Sequence, residues 1–322
     1  MRLTRRSLLM TAAAAAAPAV LPLPGLAAGA PLSVVATTGM IADTARQVGG
    51  EAVEVRALMG PGVDPHSYRQ TRTDIVAMTR ADLTLWHGLY LEAQMEEFFE
   101  DLARQRAVVA VAEALPKDRL RAHEEYENRF DPHVWMDPML WSGVISEVAR
   151  ALTVARPDSA DVFAAGAAAH RADAARLDAY ARDVLASVPE AARVLLSAHD
   201  AFGYFGQAYG FEVIGIQGIS TESEAGLSRI GALVDLLVSR RIGAVFVESS
   251  VSDRNVRALI EGAAAQGHEV RIGGELYSDA MGVPGTYEGT WVGMIDHNVT
   301  TIATALGGTA PRGGMDGRLA AV

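Results

Sequence analysis

The sequence predicts an α/β protein of two lobes, each with a mostly parallel four-stranded sheet flanked by helices. The 322 residues exceed the usual size of one domain. In both halves of the chain, short apolar runs alternate with amphipathic segments, which indicates βαβ units and parallel strands. One helical pattern, at residues 158–187, is much longer than the others and separates the two halves. We therefore expect one long rigid helix to join the lobes.

Residues 1–30 have the pattern of an export signal. A basic start precedes an Ala/Leu-rich apolar run, and small residues at 27–30 offer a site for signal peptidase. The Arg5-Arg6 pair in TRRSLLM is typical of twin-arginine signals, although ordinary secretory signals also contain paired basic residues. Prolines interrupt the apolar run, which disfavours a membrane anchor. We expect a periplasmic protein whose signal is removed near residues 27–30.

The N-terminal lobe is predicted to span residues 31–157. Its strands are expected in PLSVVATTG, EAVEVRALMG, DLTLWHG and AVVAVAEAL, and its helices in MIADTARQVGG, RQTRTDIVAMTRA, LEAQMEEFFEDLARQ and WSGVISEVARALTVARP. The polar, irregular residues 116–132 are typical of a surface loop.

The linking helix is predicted at residues 158–187, and Pro189 ends its pattern. Its apolar stripe consists of Phe163, Ala167, His170, Ala174, Leu177, Ala181 and Val184. The C-terminal lobe follows at 188–306. Its strands are expected in ARVLLSA, FEVIGIQG, GAVFVES and EVRIGGEL, each followed by a helical segment. Residues 307–322 are rich in Gly and Ala and are expected to form a flexible tail.

Charge and cysteine content narrow the classes of function. The formal net charge of −11 disfavours a nucleic-acid partner, because no basic face is available to neutralise phosphates, and it suits a protein that attracts cations. The chain has no cysteine, so it contains no disulfide and no thiolate ligand. It also lacks the cysteine that carries the lipid of a lipoprotein, which favours a freely diffusing protein. Any bound metal must have nitrogen and oxygen ligands.

Four short segments carry potential metal ligands beyond predicted strands. They are GVDPHSY with His66, DPHVWMDP with His133, LLSAHDAFGYF with His199 and GGELYSDAMG with Asp279. Ligands of open α/β sheets collect beyond the carboxyl ends of the strands, and two of these segments lie in each half. Three imidazoles and one carboxylate suit a divalent transition metal bound between the lobes.

Acidic residues near these histidines have two interpretations each. Asp64 or Asp131 can accept the second imidazole N–H and set the tautomer, or can cap a turn. Glu248, after a buried strand, can accept from an imidazole or place a charge at a helix N-terminus. Any one of the histidines alone is more typical of a structural residue, so the metal hypothesis depends on the whole pattern.

The segments GPGVDPHSY, DPHVWMDP, SAHDAFGYF and YSDAMG closely resemble the four ligand segments of the solute-binding proteins of ABC importers for zinc, manganese or iron. The resemblance extends from about residue 32 to residue 306. It implies that His66, His133, His199 and Asp279 bind one ion per chain, and that Trp135 packs behind the His133 loop. It also implies a monomer that contacts the membrane surface peripherally and delivers its metal to a permease and its ATPase, without catalysis.

The donor set favours zinc as the ion. Three nitrogens and one oxygen suit Zn²⁺ by the Irving–Williams order, whereas Mn²⁺ prefers more oxygen, and manganese is the alternative. Many zinc-type members of the family have a long His-rich loop, whereas RAHEEYENRF contains only His123, which argues against zinc. Because binding needs deprotonated imidazoles, we expect the affinity to fall below about pH 6.5. The rival class is an exported zinc hydrolase with Glu248 as its base.

The remaining histidines are expected to be structural. His87 is expected to be hydrogen-bonded, His170 to lie in the core or an interface, and His123 to lie in a solvated, charged loop with Glu124 and Glu125. For His268 and His297, helix-end contacts or plain exposure are expected. The segment TESEAG at 221–226 is interpreted as a turn that leads into a helix.

Overall fold

The α/β alternation predicted from the sequence is confirmed by a computed structural model, which describes residues 30–123 and 126–320. The strands are β1 Leu32–Ala36, β2 Val53–Ala57, β3 Leu83–Trp86, β4 Val108–Ala110, β5 Val194–Ser197, β6 Glu212–Gly215, β7 Ala244–Glu248 and β8 Arg271–Leu276. The helices are α1 Gly39–Gly49, α2 Arg72–Arg80, α3 Glu96–Ala103, α4 Pro138–Ala155, α5 Ala160–Ala186, α6 Gly203–Tyr209, α7 Leu227–Arg240, α8 Arg254–Ala265 and α9 Trp291–Ala305. The export signal predicted for residues 1–30 lies outside the described residues, apart from Ala30. Across the described residues, no helix combines the length and the apolar character needed to span a bilayer.

The N-terminal lobe contains the predicted four-stranded parallel sheet, in the order β2-β1-β3-β4. The central strand β1 pairs in parallel on both sides, with Val34 opposite Val55 on one side and Leu83 on the other. Parallel strands need helical crossovers that cover the faces of the sheet, and this explains the continuous apolar runs in the sequence.

The C-terminal lobe differs in detail from the predicted four-stranded sheet. Its strands form two separate two-stranded parallel sheets, β5-β6 and β7-β8. The pairs share one apolar core, in which Leu196 of β5 and Val245 of β7 are both fully buried. The register of β7 against β8 shifts between Val245 and Phe246. Such a bulge increases the local twist of a strand, which works against one regular ladder through all four strands.

The long helix α5 joins the lobes, as predicted. Its 27 residues follow a short 3-10 turn at Pro157–Ser159, and every residue of the predicted apolar stripe is buried. The helix packs along α1, α4 and α9, and the largest hydrophobic core continues through it from the first sheet to α9. Because this core passes from one lobe to the other, the connection between the lobes is much stiffer than a loop linker.

Glu92 is a buried carboxylate that ties together the ends of β1 and β3. It accepts hydrogen bonds from Thr37 Oγ1 at 2.6 Å, from the His87 backbone N–H at 2.8 Å and from the Gly88 backbone N–H at 3.2 Å. Burial raises the pKa of Glu92 to about 7, although the three hydrogen bonds oppose this shift. Two of its donors belong to the segment that follows β3, so the carboxylate fixes the edge of the sheet that faces the ligand segments.

The substitution Glu92→Ala is expected to lower the free energy of unfolding by about 3 kcal/mol or more, because it leaves three buried donors unpaired at roughly 1–3 kcal/mol each. Urea denaturation of the metal-free protein measures this change. The matched control is Glu113→Ala, which removes an exposed carboxylate that accepts one hydrogen bond from the Leu89 N–H. An equal, small loss of unfolding free energy in both variants would contradict this role of Glu92.

The segment expected to be a flexible tail makes specific contacts over its described part, residues 307–320. The Met315 N–H donates to Asp296 at 2.9 Å, and the Ala320 N–H donates to Glu288 Oε1 at 3.1 Å. Leu319 is buried. Burial raises the pKa of Asp296, and a buried carboxylate of this kind needs donors, which the Gly-rich segment provides by close approach.

The surface loop predicted at 116–132 is more ordered than its polar composition indicates. An isolated antiparallel bridge pairs Ala122 with Phe130. His123 is 8% exposed and accepts the Tyr126 N–H at Nδ1, so the prediction that it lies in a solvated loop is corrected. Glu124 and Glu125, grouped with it in that prediction, lie outside the described residues.

Candidate metal centre

The four predicted ligand residues come together in one buried cluster. His66, His133, His199 and Asp279 each offer one atom, and these atoms all lie within 4.8 Å of one another. The four residues are at most 3% exposed. Residues that are far apart in the sequence, two from each lobe, therefore meet where the lobes adjoin.

His66 lies in the loop after β2 and is held by a turn. Asp64 Oδ1 accepts the backbone N–H of His66 at 2.9 Å, and Asp64 Oδ2 accepts the Ser67 hydroxyl at 3.0 Å. Of the two interpretations of Asp64, the structure favours the turn cap. Thr221 of the C-terminal lobe also donates to Asp64 Oδ2, at 2.6 Å. The prediction of residues 221–226 as a helix-entry turn did not include this contact, which joins segments far apart in the chain.

His133 is oriented by Asp131. The Asp131 carboxylate accepts both the backbone N–H of His133 at 3.0 Å and its ring Nδ1–H at 2.8 Å. Arg121 lies 3.4 Å from the other Asp131 oxygen. With Nδ1 bonded in this way, Nε2 is the nitrogen that faces the cluster. The prediction that His133 directly follows a strand is wrong. His133 lies beyond the long loop after β4 and just before α4.

His199 is oriented by Glu248 in the same manner. It follows β5, and its backbone N–H donates to Glu248 Oε1 at 2.9 Å while its Nδ1 bonds Oε2. Glu248 is the last residue of β7. Of the two interpretations of Glu248, the structure therefore favours the acceptor that orients an imidazole, because α8 begins only at Arg254.

Asp279 follows β8 and completes the cluster. Its Oδ1 lies 3.3 Å from His133 Nε2, and its Oδ2 lies 3.1 Å from His199 Nε2 and 4.0 Å from His66 Nε2. Apart from these imidazoles, neither oxygen has a hydrogen-bond partner among the described residues. A buried carboxylate is costly unless its charge is compensated, so this side chain is suited to bind a cation.

The spacing of the donor atoms fits a small tetrahedral ion. His133 Nε2 lies 3.3 Å from both His66 Nε2 and His199 Nε2. Tetrahedral ligands at about 2.0–2.1 Å from a metal are about 3.3–3.4 Å apart. The His133 edge to Asp279 Oδ1 and the His199 edge to Asp279 Oδ2 are similar, at 3.3 and 3.1 Å, whereas His66 Nε2 lies farther from Asp279 Oδ2, at 4.0 Å. The cluster can therefore accept an ion of this size with small adjustments.

The surroundings of His66 and His133 shift the pKa values of the two imidazoles in opposite directions. Burial lowers the pKa of His66 to about 3. Burial also acts to lower the pKa of His133, but the hydrogen bond to Asp131 and the neighbouring Asp279 carboxylate outweigh it and raise the pKa to about 9. At neutral pH, metal and proton therefore compete for His133.

His199 and Asp279 shift each other in opposite directions. Burial acts to lower the pKa of His199, but the charges of Glu248 and Asp279 raise it well above its usual value. Burial acts to raise the pKa of Asp279, but His199 and His133 lower it well below its usual range. The carboxylate is thus ionised and available as a ligand at any physiological pH.

The other histidines lie outside the cluster, as expected. His87 is buried and its Nε2 bonds the Pro132 carbonyl at 2.7 Å, so it supports the His133 loop. His170 packs edge-on against Trp291 in the core. The Nε2–H of His268 donates a hydrogen bond to the Ile242 carbonyl, and that of His297 donates to the Glu275 carbonyl. The contact between His87 and Pro132 has no local signal in the sequence, because it joins segments that are distant along the chain.

Two α/β lobes joined by a long helix, with imidazoles and a carboxylate buried where they adjoin, define the class of metal-binding receptors. The family model described as the periplasmic component A of the zinc-uptake complex, ZnuA, matches residues 34–305, and the chain belongs to this family. The members of the family are metal-binding substrate receptors of ABC importers and are not enzymes. The hydrolase interpretation is therefore rejected.

Two relatives are equally similar in sequence but are named for different metals. The manganese-binding lipoprotein MntA of Bacillus subtilis is 48% identical over 282 residues, which cover 88% of this chain and 92% of MntA. The zinc-binding protein TroA of Treponema pallidum is 48% identical over 278 residues, which cover 86% of this chain and 89% of TroA. The solved structure of TroA superposes with a TM-score of 0.84 at 46% identity, covering 86% of this chain and 99% of that one.

Proposed function

We propose that this protein binds one Zn²⁺ ion in the periplasm through His66, His133, His199 and Asp279 and delivers it to the permease and ATPase of an ABC importer. The ion is the transported cargo and not a resident cofactor. The proposal includes export through the predicted signal at residues 1–30. The description of the matching family model as a periplasmic component supports this location.

The observation that carries the proposal is the closed, buried set of four donors. Catalytic zinc sites have three protein ligands and leave one position for water or substrate, whereas four protein donors fill a tetrahedral shell. In this chain the fourth donor is Asp279, which is 2% exposed and lies 3.1 Å from His199 Nε2. Such a cluster suits binding and release of an ion.

The choice of zinc rests on the donor types and their spacing. Three imidazole nitrogens and one carboxylate oxygen, about 3.3 Å apart, suit a tetrahedral ion that prefers nitrogen. Manganese is the second candidate, because MntA is as similar to this chain as TroA is. A bidentate Asp279 would provide one more oxygen for Mn²⁺, which favours oxygen ligands.

A competition titration of the metal-stripped protein tests the choice of ion. Calorimetry with Zn²⁺ and with Mn²⁺, each followed by elemental analysis, is expected to give one equivalent of either ion, with Zn²⁺ displacing bound Mn²⁺. The Irving–Williams order gives this direction. Mn²⁺ that is retained against an equal concentration of Zn²⁺ would assign the protein to manganese, and no stoichiometric binding of either ion would reject the receptor proposal.

A further inference from the structure

Trp135 belongs to the same ligand segment as His133, and its side chain reaches the ligand segment of Asp279. The side chain is fully buried, and its ring packs against the His133 imidazole with ring centroids 5.2 Å apart and an interplanar angle of 66°. Its indole Nε1–H donates a hydrogen bond of 2.8 Å to the backbone carbonyl of Ser278. Ser278 directly precedes Asp279. One side chain thus contacts a histidine-bearing segment of the N-terminal lobe and the carboxylate-bearing segment of the C-terminal lobe.

The backbone of Trp135 is held by the C-terminal lobe. Trp291, the first residue of α9, donates its indole N–H to the Trp135 carbonyl at 3.1 Å. The backbone N–H of Trp291 donates in turn to Asp43 Oδ2 of α1 at 2.8 Å. These bonds cross between the lobes in both directions, so the position of Trp135 depends on both lobes.

His87 fixes the ring of Trp135 from the N-terminal lobe. The two rings meet edge to face, with centroids 5.1 Å apart and an interplanar angle of 87°. The Nε2 atom of His87 is bonded to the Pro132 carbonyl, in the same loop as His133. Since these groups are all buried, the indole has little freedom to move relative to His133.

We propose that Trp135 is a positioning residue that holds Asp279 at coordination distance from His133 and thereby slows the departure of the metal ion. This inference rests on the proposed function and specifies how the same site retains its cargo. His133 Nε2 and Asp279 Oδ1 are 3.3 Å apart and come from different lobes. The hydrogen bond to Ser278 joins their segments beside this pair. A site ordered before binding loses less entropy when the ion binds, and it opens less often afterwards.

The variant Trp135→Phe tests the proposal because it keeps an aromatic ring but removes the Nε1–H donor. We expect Zn²⁺ to leave this variant about 3- to 10-fold faster than the wild type, the factor that corresponds to one hydrogen bond. Stopped-flow transfer of Zn²⁺ to a chelating dye measures the release rate. Thermal unfolding of the metal-free forms separates this effect from a general loss of stability.

Trp141→Phe is the matched control. Trp141 is equally buried, and its indole donates to Thr44 Oγ1 at 3.2 Å, with both partners in the N-terminal lobe. Faster release from Trp135→Phe than from Trp141→Phe, with similar losses of thermal stability, supports the proposal. Equal release rates in the two variants overturn it.

A second variant covers the case in which Trp135→Phe does not fold. Trp291→Phe removes the indole N–H that donates to the Trp135 carbonyl. This variant is also expected to release Zn²⁺ faster than Trp141→Phe. A release rate equal to that of Trp141→Phe overturns the proposal. The wild type is measured first. If the wild type binds no stoichiometric Zn²⁺, the proposed function itself fails. If all variants bind Zn²⁺ and release it equally fast, only the role of Trp135 fails.

Discussion

The His133→Ala variant is expected to lose Zn²⁺ affinity by about 100-fold or more while it keeps its fold. His133 is the donor in contact with all three others, at 3.3 Å from His66, His199 and Asp279. Four-ligand zinc sites bind with about 10–16 kcal/mol in total, so one ligand accounts for roughly 3 kcal/mol. Calorimetric titration against a chelator of known affinity measures the change.

The control for this loss is His268→Ala. His268 bonds the Ile242 carbonyl in the C-terminal lobe and lies outside the cluster, so its removal is expected to leave Zn²⁺ affinity unchanged within about twofold. If both variants bind Zn²⁺ like the wild type, His133 is not a ligand. If both variants lose Zn²⁺ affinity equally, the loss in His133→Ala reflects a general loss of stability and not the loss of a metal ligand.

Metal affinity is expected to rise with pH up to about pH 9. The pKa of His133 is raised to about 9 and that of His199 well above its usual value, so at neutral pH these imidazoles hold protons that the metal must displace. Each displaced proton changes the affinity about tenfold per pH unit. We therefore expect the Zn²⁺ affinity to rise about 10- to 100-fold per pH unit between pH 6 and pH 8. The sequence alone places the onset of this loss lower, below about pH 6.5, because the unperturbed pKa of histidine is near that value.

Stability of the metal-free protein is expected to change with pH in the opposite direction. The folded-state pKa of His133 lies above its unfolded value, so its contribution to stability is fully present below about pH 6.5 and is lost as pH rises through about 9. Titrations of Zn²⁺ affinity and urea midpoints at pH 6, 7, 8 and 9 test both signs. A Zn²⁺ affinity that is flat from pH 7 to pH 9 would contradict the assigned protonation of His133 and His199.

The local patterns of the sequence predict most of the fold and the positions of three of the four candidate ligands. His66, His199 and Asp279 each follow a parallel strand, and the carboxyl ends of such strands meet at one edge of a sheet. The apolar stripe of α5 is likewise a local signal, since a 3.6-residue period is visible without knowledge of the packing partners.

Contacts between segments that are distant in the sequence could not be predicted. His133 joins the cluster from a long loop, so its predicted place just beyond a strand was wrong, and its candidate role depended on the pattern of all four segments and on the family resemblance. The hydrogen bond from Trp135 to Ser278 and the buried bonds of Glu92 depend on tertiary packing, which leaves no periodic signal. The split of the C-terminal strands into two pairs depends in the same way on twist and register.

We expect one ion to bind among His66, His133, His199 and Asp279. Anomalous diffraction at the zinc edge, from crystals of protein loaded with one equivalent of Zn²⁺, locates that ion. We predict a single peak at about 2.0–2.2 Å from three imidazole nitrogens and a carboxylate oxygen of these residues. A stoichiometric peak at any other position, or loaded protein with no peak inside this cluster, would contradict the account.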